Sequence, residues 1–334
     1  MKRTIPFLLF LVLLLTTGCK ERSRFELKSF DRPVEVSISR FDLDFMDMDT
    51  AHIDLEMLSL KQKHPLIYDY FMEEALMLQS ADTAYNRSLI ANYISDSLFI
   101  GVHQKVKEVF ADIEPLEEEL SVAASYLAHY FPDIYMPQLF MMVSGFNHSL
   151  IGNDSLVGIG SDMYLGNDYP LYADVTHEYL IKNMRSEQVS VEVMMHVLRN
   201  NFDINNSLNL LHAILFEGKL LYLLQVILPE KSDAELMGYL TEEIEWSQKH
   251  EKQVWSSIME NKHLYSTDGL LISKYLQPAP FTSPITQESP GELGRWMGWR
   301  IIQAYMKNNS QVTLSALMQN NNYRQILERS GYRP

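Results

Sequence analysis

The stretch V-E-V-M-M-H-V-L-R-N-N-F-D-I-N-N-S-L-N-L-L-H-A-I-L-F-E-G, residues 191–218, predicts two helices joined at residues 203–206. Three polar residues, Glu192, His196 and Glu217, interrupt the largely apolar faces of these helices. Glu192 and His196 are four residues apart and therefore share one helix face, one turn from each other. Glu217 follows on the second helix, directly before Gly218, so the three side chains are candidates for a common site.

This spacing has the outline of a gluzincin zinc site, in which one helix supplies two ligands at i and i+4 and the next supplies a carboxylate. A working site reads His-Glu-x-x-His. Here Glu192 stands at the first histidine position, and Val193 stands where the general base belongs and cannot accept a proton. The alternatives are a catalytic Zn²⁺ site, a non-catalytic metal site of Glu192, His196 and Glu217, and no metal cofactor. The pattern favours the last, with Glu192 on the surface and His196 paired with a neighbour such as Glu217.

The N-terminus has the form of a bacterial lipoprotein signal. Lys2 and Arg3 precede a short apolar run over residues 7–15, and small residues lead to Cys19, the only cysteine of the chain. We expect a lipoprotein signal peptide at residues 1–18 and lipid attachment at Cys19; the alternative is an ordinary signal peptide with an incidental cysteine. Residues 19–31 are then an acylated tether and residues 32–334 a single globular domain. Without a free thiol no disulfide can form, so stability must come from a packed core.

The charge of the chain excludes some classes of partner. The formal charge is −15, and it moves to −17 when the signal peptide removes Lys2 and Arg3. Such acidity argues against nucleic acid, which needs a basic surface, and against general adhesion to anionic lipid. We therefore expect a protein that is lipid-anchored in the cell envelope and faces the periplasm, with protein partners; inner and outer membrane both remain open.

Periodicity predicts an α+β fold that is predominantly α-helical and carries a small antiparallel sheet. Residues 33–41 alternate with period two, residues 136–146 form an apolar run, and residues 155–165 follow a turn signal at Gly152-Asn153-Asp154. We expect the last two to pair as an antiparallel hairpin. Helical spacing predicts helices at residues 66–79, 88–110 (with a break at Gly101), 115–130, 187–201, 207–228, 241–264, 293–308 and 312–332.

Glycines mark two places where backbones come close. Gly158 and Gly160 weaken the strand at residues 155–165, so either another backbone packs there or Val157, Gly158, Ile159 and Gly160 form an edge strand that binds a peptide. Packing is the favoured explanation. In the helix at residues 293–308, Gly294 and Gly298 share a face and predict close contact with another helix.

Helix caps and other motifs add little chemistry. Ser289 and Glu292 have capping-box spacing ahead of the last long helix. The pair His177-Glu178 lacks a second histidine, because Ile181 occupies that position. No G-x-S-x-G, P-loop or G-x-G-x-x-G motif is present. The acids Asp154, Asp162 and Asp168 match no calcium loop.

Several stretches together resemble the gliding-motility lipoprotein GldB family of Bacteroidetes. They are the lipobox at Cys19, Ile38-Ser39-Arg40-Phe41-Asp42, Tyr130-Phe131-Pro132, Val143-Ser144-Gly145-Phe146-Asn147, residues 154–166, Glu217-Gly218-Lys219-Leu220-Leu221-Tyr222, Ser289-Pro290-Gly291-Glu292-Leu293-Gly294, Trp296, Gly298-Trp299 and Ala304-Tyr305-Met306-Lys307-Asn308. The resemblance covers essentially the whole mature chain. It implies a part in the envelope machinery for gliding and type IX secretion rather than a known enzymatic activity.

The same resemblance implies a zincin-like arrangement. The family is distantly similar to predicted zinc proteases with a His-Glu-x-x-His helix and a downstream Glu-Gly. On that comparison Glu217 matches the third ligand and His196 the second histidine, whereas Glu192 and Val193 depart from the pattern. We therefore expect a non-catalytic interaction or assembly component that binds peptide by strand addition at residues 155–165. The alternatives are a divergent zinc metalloprotease and a periplasmic chaperone-like peptide binder.

Overall fold

The computed structural model describes residues 24–78, 83–203 and 209–334. In these residues, helices surround one small sheet. The strands are β1 (Ile38–Ser39), β2 (Gln138–Met142), β3 (Leu150–Gly152) and β4 (Leu156–Gly160). The helices before and between them are α1 (Phe41–Met46), α2 (Ile53–Lys63), α3 (Pro65–Tyr70), α4 (Thr83–Ser95), α5 (Ser97–Val109) and α6 (Glu114–Tyr130). A π-helical turn, Phe71–Ala75, continues α3. These elements confirm the α+β class.

The helices after the sheet build the larger part of the core. They are α7 (Tyr172–Val175), α8 (Glu178–Ile181), α9 (Val189–Asn201), α10 (Leu210–Ile227), α11 (Asp233–Met237), α12 (Thr241–Lys249), α13 (Glu251–Glu260), α14 (Gly269–Leu276), α15 (Leu293–Asn308), α16 (Leu314–Gln319) and α17 (Tyr323–Ser330). Short 3₁₀ turns lie at Thr50–His52, Ser161–Met163, Ser186–Gln188 and His263–Tyr265. The two helices expected from residues 191–218 are α9 and α10.

Several of the expected helix boundaries are wrong. The helix expected at residues 241–264 is divided at His250 into α12 and α13. The break in residues 88–110 lies at Asp96 rather than at Gly101, because the Asp96 side chain caps α5 by accepting from the Leu98 N–H. Ser289 does not cap α15. Its hydroxyl donates to the Thr286 carbonyl and accepts from the Thr282 N–H, so it braces the preceding loop.

The sheet is mixed, not antiparallel as expected. Its order is β1-β2-β4-β3, with β2 parallel to both β1 and β4 and only β3 antiparallel to β4. The turn signal at Gly152-Asn153-Asp154 does form a hairpin, but that hairpin joins β3 to β4. The hairpin expected between β2 and β4 is therefore wrong, because β3 carries the chain back before β4 begins.

A buried carboxylate holds the turn that reverses the chain after β2. Gly145 and Phe146 both have positive φ, at 68° and 62°. The Asp162 carboxylate accepts from the Ser144 N–H at 2.8 Å and from the Phe146 N–H at 2.6 Å. Burial raises the pKa of Asp162, and these hydrogen bonds oppose that shift.

Strand β4 lies inside the sheet and is not the edge strand that we expected at Val157, Gly158, Ile159 and Gly160. It pairs on both sides, and all its residues are buried. A Cβ on Gly158 would lie 2.5 Å from the Phe140 ring, and one on Gly160 would lie 2.0 Å from the His148 carbonyl oxygen. The expected close approach of another backbone is thus confirmed at Gly160, whereas Gly158 makes room for the Phe140 side chain.

The two edge strands of the sheet, β1 and β3, differ in whether side chains pair with their outer backbone groups. Along the β1 segment, alternate backbone N–H groups donate to side chains of α6: Val34 to Ser125 Oγ at 2.8 Å, Val36 to Ser121 Oγ at 2.9 Å and Ile38 to Glu117 Oε1 at 2.7 Å. These acceptors recur every four residues and so share one face of α6. Helix α6 therefore closes the β1 edge.

Helices α10 and α15 cross at direct backbone contact. A Cβ on Gly298 would lie 1.6 Å from the Ile214 carbonyl oxygen, and one on Gly218 would lie 2.2 Å from the Gly298 carbonyl carbon. The close approach predicted from Gly294 and Gly298 is confirmed. Helix α10 is long and apolar enough to cross a membrane, but most of it, 83%, is buried inside the domain.

The N-terminal segment is attached to the domain, which corrects the expected tether at residues 19–31. Arg24 Nη2 donates to the Val312 carbonyl at 2.8 Å, and the Phe25 ring packs edge-on against Tyr130 and Tyr222. Any free tether therefore ends before Arg24. The signal peptide at residues 1–18 and Cys19 lie outside the described residues.

Candidate functional site

A groove of about 670 Å³ lies beside β3 and α9 and collects the three residues singled out from the sequence. We call it the β3 groove. Its polar lining includes Ser149, Tyr164, Glu192, His196, Arg199, Glu217, Glu292 and Arg295. Helix α9 supplies one wall, Glu217 comes from α10, and Arg295 comes from α15. The crossing of α10 and α15 therefore sets the position of Glu217 relative to Arg295, which together form the charged end of the groove.

Glu192 is partly buried and paired, not on the surface as expected. The Tyr164 hydroxyl donates to Glu192 Oε2 at 2.6 Å. Burial raises the pKa of the Glu192 carboxyl, and hydrogen bonds with Tyr164 and Ser149 act in the opposite direction. Because Ser149 directly precedes β3, this carboxylate links α9 to the start of the strand.

His196 does not pair with Glu217. Its Nε2 accepts from Asn200 Nδ2 at 3.1 Å, one turn further along α9. Burial lowers the pKa of His196, and the nearby Asp154 carboxylate raises it. The ring is therefore held on its own helix rather than by the next one.

Glu217 is buried and binds two guanidinium groups. Arg199 Nη1 and Nη2 donate to its two oxygens at 2.8 and 2.6 Å, a bidentate pair. Arg295 Nε lies 3.3 Å from Glu217 Oε2 at an angle that makes no hydrogen bond, while its Nη1 donates to Glu292 Oε1 at 2.5 Å. Burial would lower the pKa of Arg295, but Glu292 and Glu217 raise it above its ordinary value.

These contacts do not fit a zinc site. Glu192, His196 and Glu217 line one groove, yet no group of three or more His, Cys, Asp or Glu side chains that could hold a metal occurs in the described residues. Both Glu217 oxygens already face arginine, and zinc would compete with that cationic pair. Val193, at the position of the general base, is fully buried and has no proton-accepting group.

Arg199, Arg295 and Tyr164 contact the carboxylates of the site, and no sequence pattern singled them out. Arg199 lies three residues after His196, and Arg295 lies three residues after Glu292, so helical spacing could have linked each pair. The partner of Tyr164 lies 28 residues away in the chain, and no local pattern reports it.

No strand in the described part of the chain pairs with the outer side of β3, and Ser149 and Leu150 at its start line this groove. The Gly160 N–H donates to the Ser149 carbonyl and the Asn153 N–H to the Leu156 carbonyl. Hydrogen-bonded and non-hydrogen-bonded pairs alternate in an antiparallel ladder, so Ile151 bonds to β4 while Leu150 and Gly152 direct their N–H and C=O groups outward. The strand thus offers two main-chain donors and two acceptors to another extended chain.

The raised pKa of Glu192 predicts a pH effect on stability. The folded state binds the proton of the Glu192 carboxyl more tightly than the unfolded state does. The protonated carboxyl therefore contributes fully to the free energy of unfolding below the unfolded pKa, near 4.5, and this contribution is lost as pH rises through the folded pKa. Because glutamine does not titrate, we expect Glu192→Gln to remove this pH-dependent loss. The loss amounts to about 1.4 kcal/mol of unfolding free energy for each unit by which the folded pKa exceeds the unfolded pKa. Urea unfolding of both proteins between pH 4 and pH 8 measures it, and a difference that is constant across this range would contradict the assignment.

Comparison with known proteins identifies one family. The family model described as "Gliding motility protein GldB" matches residues 22–334. No curated protein and no solved structure matches the chain.

Proposed function

Because the chain belongs to the gliding motility protein GldB family, we propose that it is a non-catalytic interaction or assembly component of the gliding and type IX secretion machinery. In this proposal Cys19 carries the lipid that anchors it in the cell envelope, facing the periplasm, and no cofactor is needed. Its domain holds an extended segment of an envelope partner along β3. The open outer edge of β3 above a lined groove is the observation that carries this proposal.

Strand addition is supported at β3 and opposed at β1. An extended peptide needs unpaired backbone groups on a sheet edge and side-chain space beside it. Leu150 and Gly152 supply the backbone groups, and Leu150 also lines the groove. At β1 the side chains of Glu117, Ser121 and Ser125 occupy the corresponding positions.

The groove lining supports binding of varied side chains. Met163, Met184, Met195 and Met237 all contribute to it. Methionine is flexible and polarisable, and methionine-rich surfaces adapt to different partners. This observation favours one second candidate, a periplasmic chaperone-like peptide binder, which would accept many unrelated sequences rather than one.

The charged end of the groove supports binding without hydrolysis. A zinc peptidase needs a third ligand and a general base. Glu217 instead neutralises Arg199 and Arg295, and Val193 stands in the position of the base. The divergent metalloprotease thus remains the less supported alternative.

A proline at Leu150 tests the proposed edge. Peptides would be selected from a phage-displayed library of random 12-residue sequences on residues 20–334. Leu150→Pro is expected to weaken a selected peptide about tenfold, because one main-chain hydrogen bond worth roughly 1 kcal/mol is lost and the ring obstructs the approaching strand. Fluorescence anisotropy with the labelled peptide gives the affinity.

Leu150→Ala is the matched control, since it shortens the side chain further but keeps the N–H. It is expected to lose much less affinity than Leu150→Pro. Equal losses in the two variants, at unchanged thermal stability, would show that the side chain and not the strand edge binds the peptide. One shared consensus among the selected peptides supports a specific partner, and unrelated sequences support the chaperone-like candidate.

A further inference from the structure

A second groove, of about 840 Å³, lies beside the attached N-terminal segment. We call it the N-terminal groove. Residues 26–30 form one side, the first half of α6 forms another, and the C-terminal end of α10 with residues 228–230 forms the third. It shares no lining residue with the β3 groove. The two surfaces can therefore be tested independently.

The floor of the N-terminal groove is apolar and fixed in place. Leu27, Phe30, Val122 and Tyr126 line it, and Val122 is 40% exposed. The Phe30 ring packs edge-on against Tyr126 at 5.1 Å, and the Leu27 N–H donates to the Tyr126 hydroxyl at 3.1 Å. The apolar surface is thus preformed, which lowers the cost of ordering it on binding.

The rim of the groove is strongly acidic. Glu26, Glu118, Glu119 and Glu230 are among the lining residues, and these described residues include no lysine, arginine or histidine. Glu119 lies 3.2 Å from Lys231. Glu118 and Glu230 are exposed at the rim. Helix α10 also ends here, and the carbonyl end of a helix carries partial negative charge.

We propose that the N-terminal groove docks a basic amphipathic helix of a partner protein. The apolar face of such a helix covers Leu27, Phe30 and Val122, while its lysine or arginine side chains meet the glutamate rim and the carbonyl end of α10. Binding of an amphipathic helix in an apolar groove is a common mode of recognition. The negative charge of the glutamate rim favours a helix that carries positive charge. An acidic helix or an anionic lipid surface would be repelled.

The attached segment places this groove close to the membrane. Arg24 is held to the Val312 carbonyl, and Leu27 and Phe30 line the groove itself. Five residues from Cys19 to Arg24 span at most about 17 Å when fully extended. If Cys19 carries the lipid, which rests on the proposed function, the partner helix lies at or near the membrane surface.

Two synthetic helices test the charge preference. One is an 18-residue peptide of leucine and lysine, and the other has the same leucine face with glutamate in place of lysine. With residues 20–334, we expect the leucine–lysine peptide to bind and the leucine–glutamate peptide to bind at least about tenfold more weakly. Fluorescence anisotropy of labelled peptides measures both.

Charge reversals at the rim locate the binding. The double variant Glu118→Lys/Glu230→Lys is expected to weaken the leucine–lysine peptide at least about tenfold, and Val122→Ser at least about threefold. The matched control is Glu242→Lys/Glu260→Lys, which changes net charge equally at exposed positions outside the groove. It is expected to change the affinity less than about threefold.

Three results would overturn this inference. They are equal binding of both peptides, an equal effect of the rim and control reversals, and binding that Val122→Ser leaves intact. Sedimentation of residues 20–334 with phosphatidylcholine vesicles then tests whether the groove binds lipid instead of a helix. Vesicle binding that Val122→Ser abolishes would identify lipid rather than a helix as the occupant. None of these variants touches β3, so the outcome is separate from that of strand addition.

Discussion

Replacing Gly298 by alanine is expected to lower the free energy of unfolding by about 3 kcal/mol or more. The new methyl group would lie 1.6 Å from the Ile214 carbonyl oxygen, which belongs to the backbone of α10. Backbone cannot rotate aside as a side chain can, so α10 and α15 must separate along their whole contact. Every buried side chain between them, including Trp299, would lose part of its packing.

Gly101→Ala is the matched control for this prediction. Gly101 lies in α5, and a Cβ there would meet no atom within 4 Å. The same chemical change should therefore stabilise the protein by about 0.5–1 kcal/mol, because alanine favours the helix. Urea unfolding of the two variants gives both values. Two effects of the same sign would contradict the backbone contact between α10 and α15.

Replacing Glu217 by alanine is expected to cost about 3 kcal/mol of unfolding free energy. Removing one partner of a buried ion pair typically costs 3–5 kcal/mol, because it leaves an uncompensated charge. The lower end applies here, since Arg295 keeps Glu292 at 2.5 Å and Arg199 is 43% exposed. The loss should be the same in EDTA and in the presence of Zn²⁺, because arginine and not metal is the partner.

Glu328→Ala is the control for that experiment. Glu328 pairs with Arg324 on the surface, where ion pairs contribute roughly 0–1 kcal/mol. Thermal and urea unfolding of both variants, with and without equimolar Zn²⁺, separates the two explanations. A cost at Glu217 that appears only with Zn²⁺, together with stoichiometric zinc that His196→Ala removes, would favour the divergent metalloprotease.

Local periodicity was enough to predict the central helices. The pattern of residues 191–218 led to α9 and α10, and Gly294 with Gly298 led to the close crossing by α15. Both signals are local, because a buried helix face and a small-residue face each repeat along one helix.

The pairing of strands could not be predicted in the same way. Alternation and turn residues locate a strand, but they do not indicate which other strand it pairs with. The chain reverses twice between β2 and β4, and the first reversal depends on Asp162, which follows β4. Because that contact closes only when the sheet forms, the parallel pairing and the open β3 edge were out of reach of the sequence.

The candidate site was predicted in its members but not in its partners. Glu192, His196 and Glu217 do line one groove. Their hydrogen bonds go instead to Tyr164, Asn200 and Arg199. Arg295, which forms an ion pair with Glu217, lies 78 residues after it in the chain. A metal-like spacing on two helices therefore does not reveal what neutralises its carboxylates.

Residue-resolved amide hydrogen exchange on β3 tests the proposed strand addition most directly. In the free protein, the amides of Leu150 and Gly152 should exchange fast and that of Ile151 slowly, because only Ile151 bonds to β4. Binding of a peptide selected from the random library should slow Leu150 and Gly152 and leave Ile151 unchanged. Unchanged exchange at both Leu150 and Gly152 in the saturated complex would show that no strand is added there.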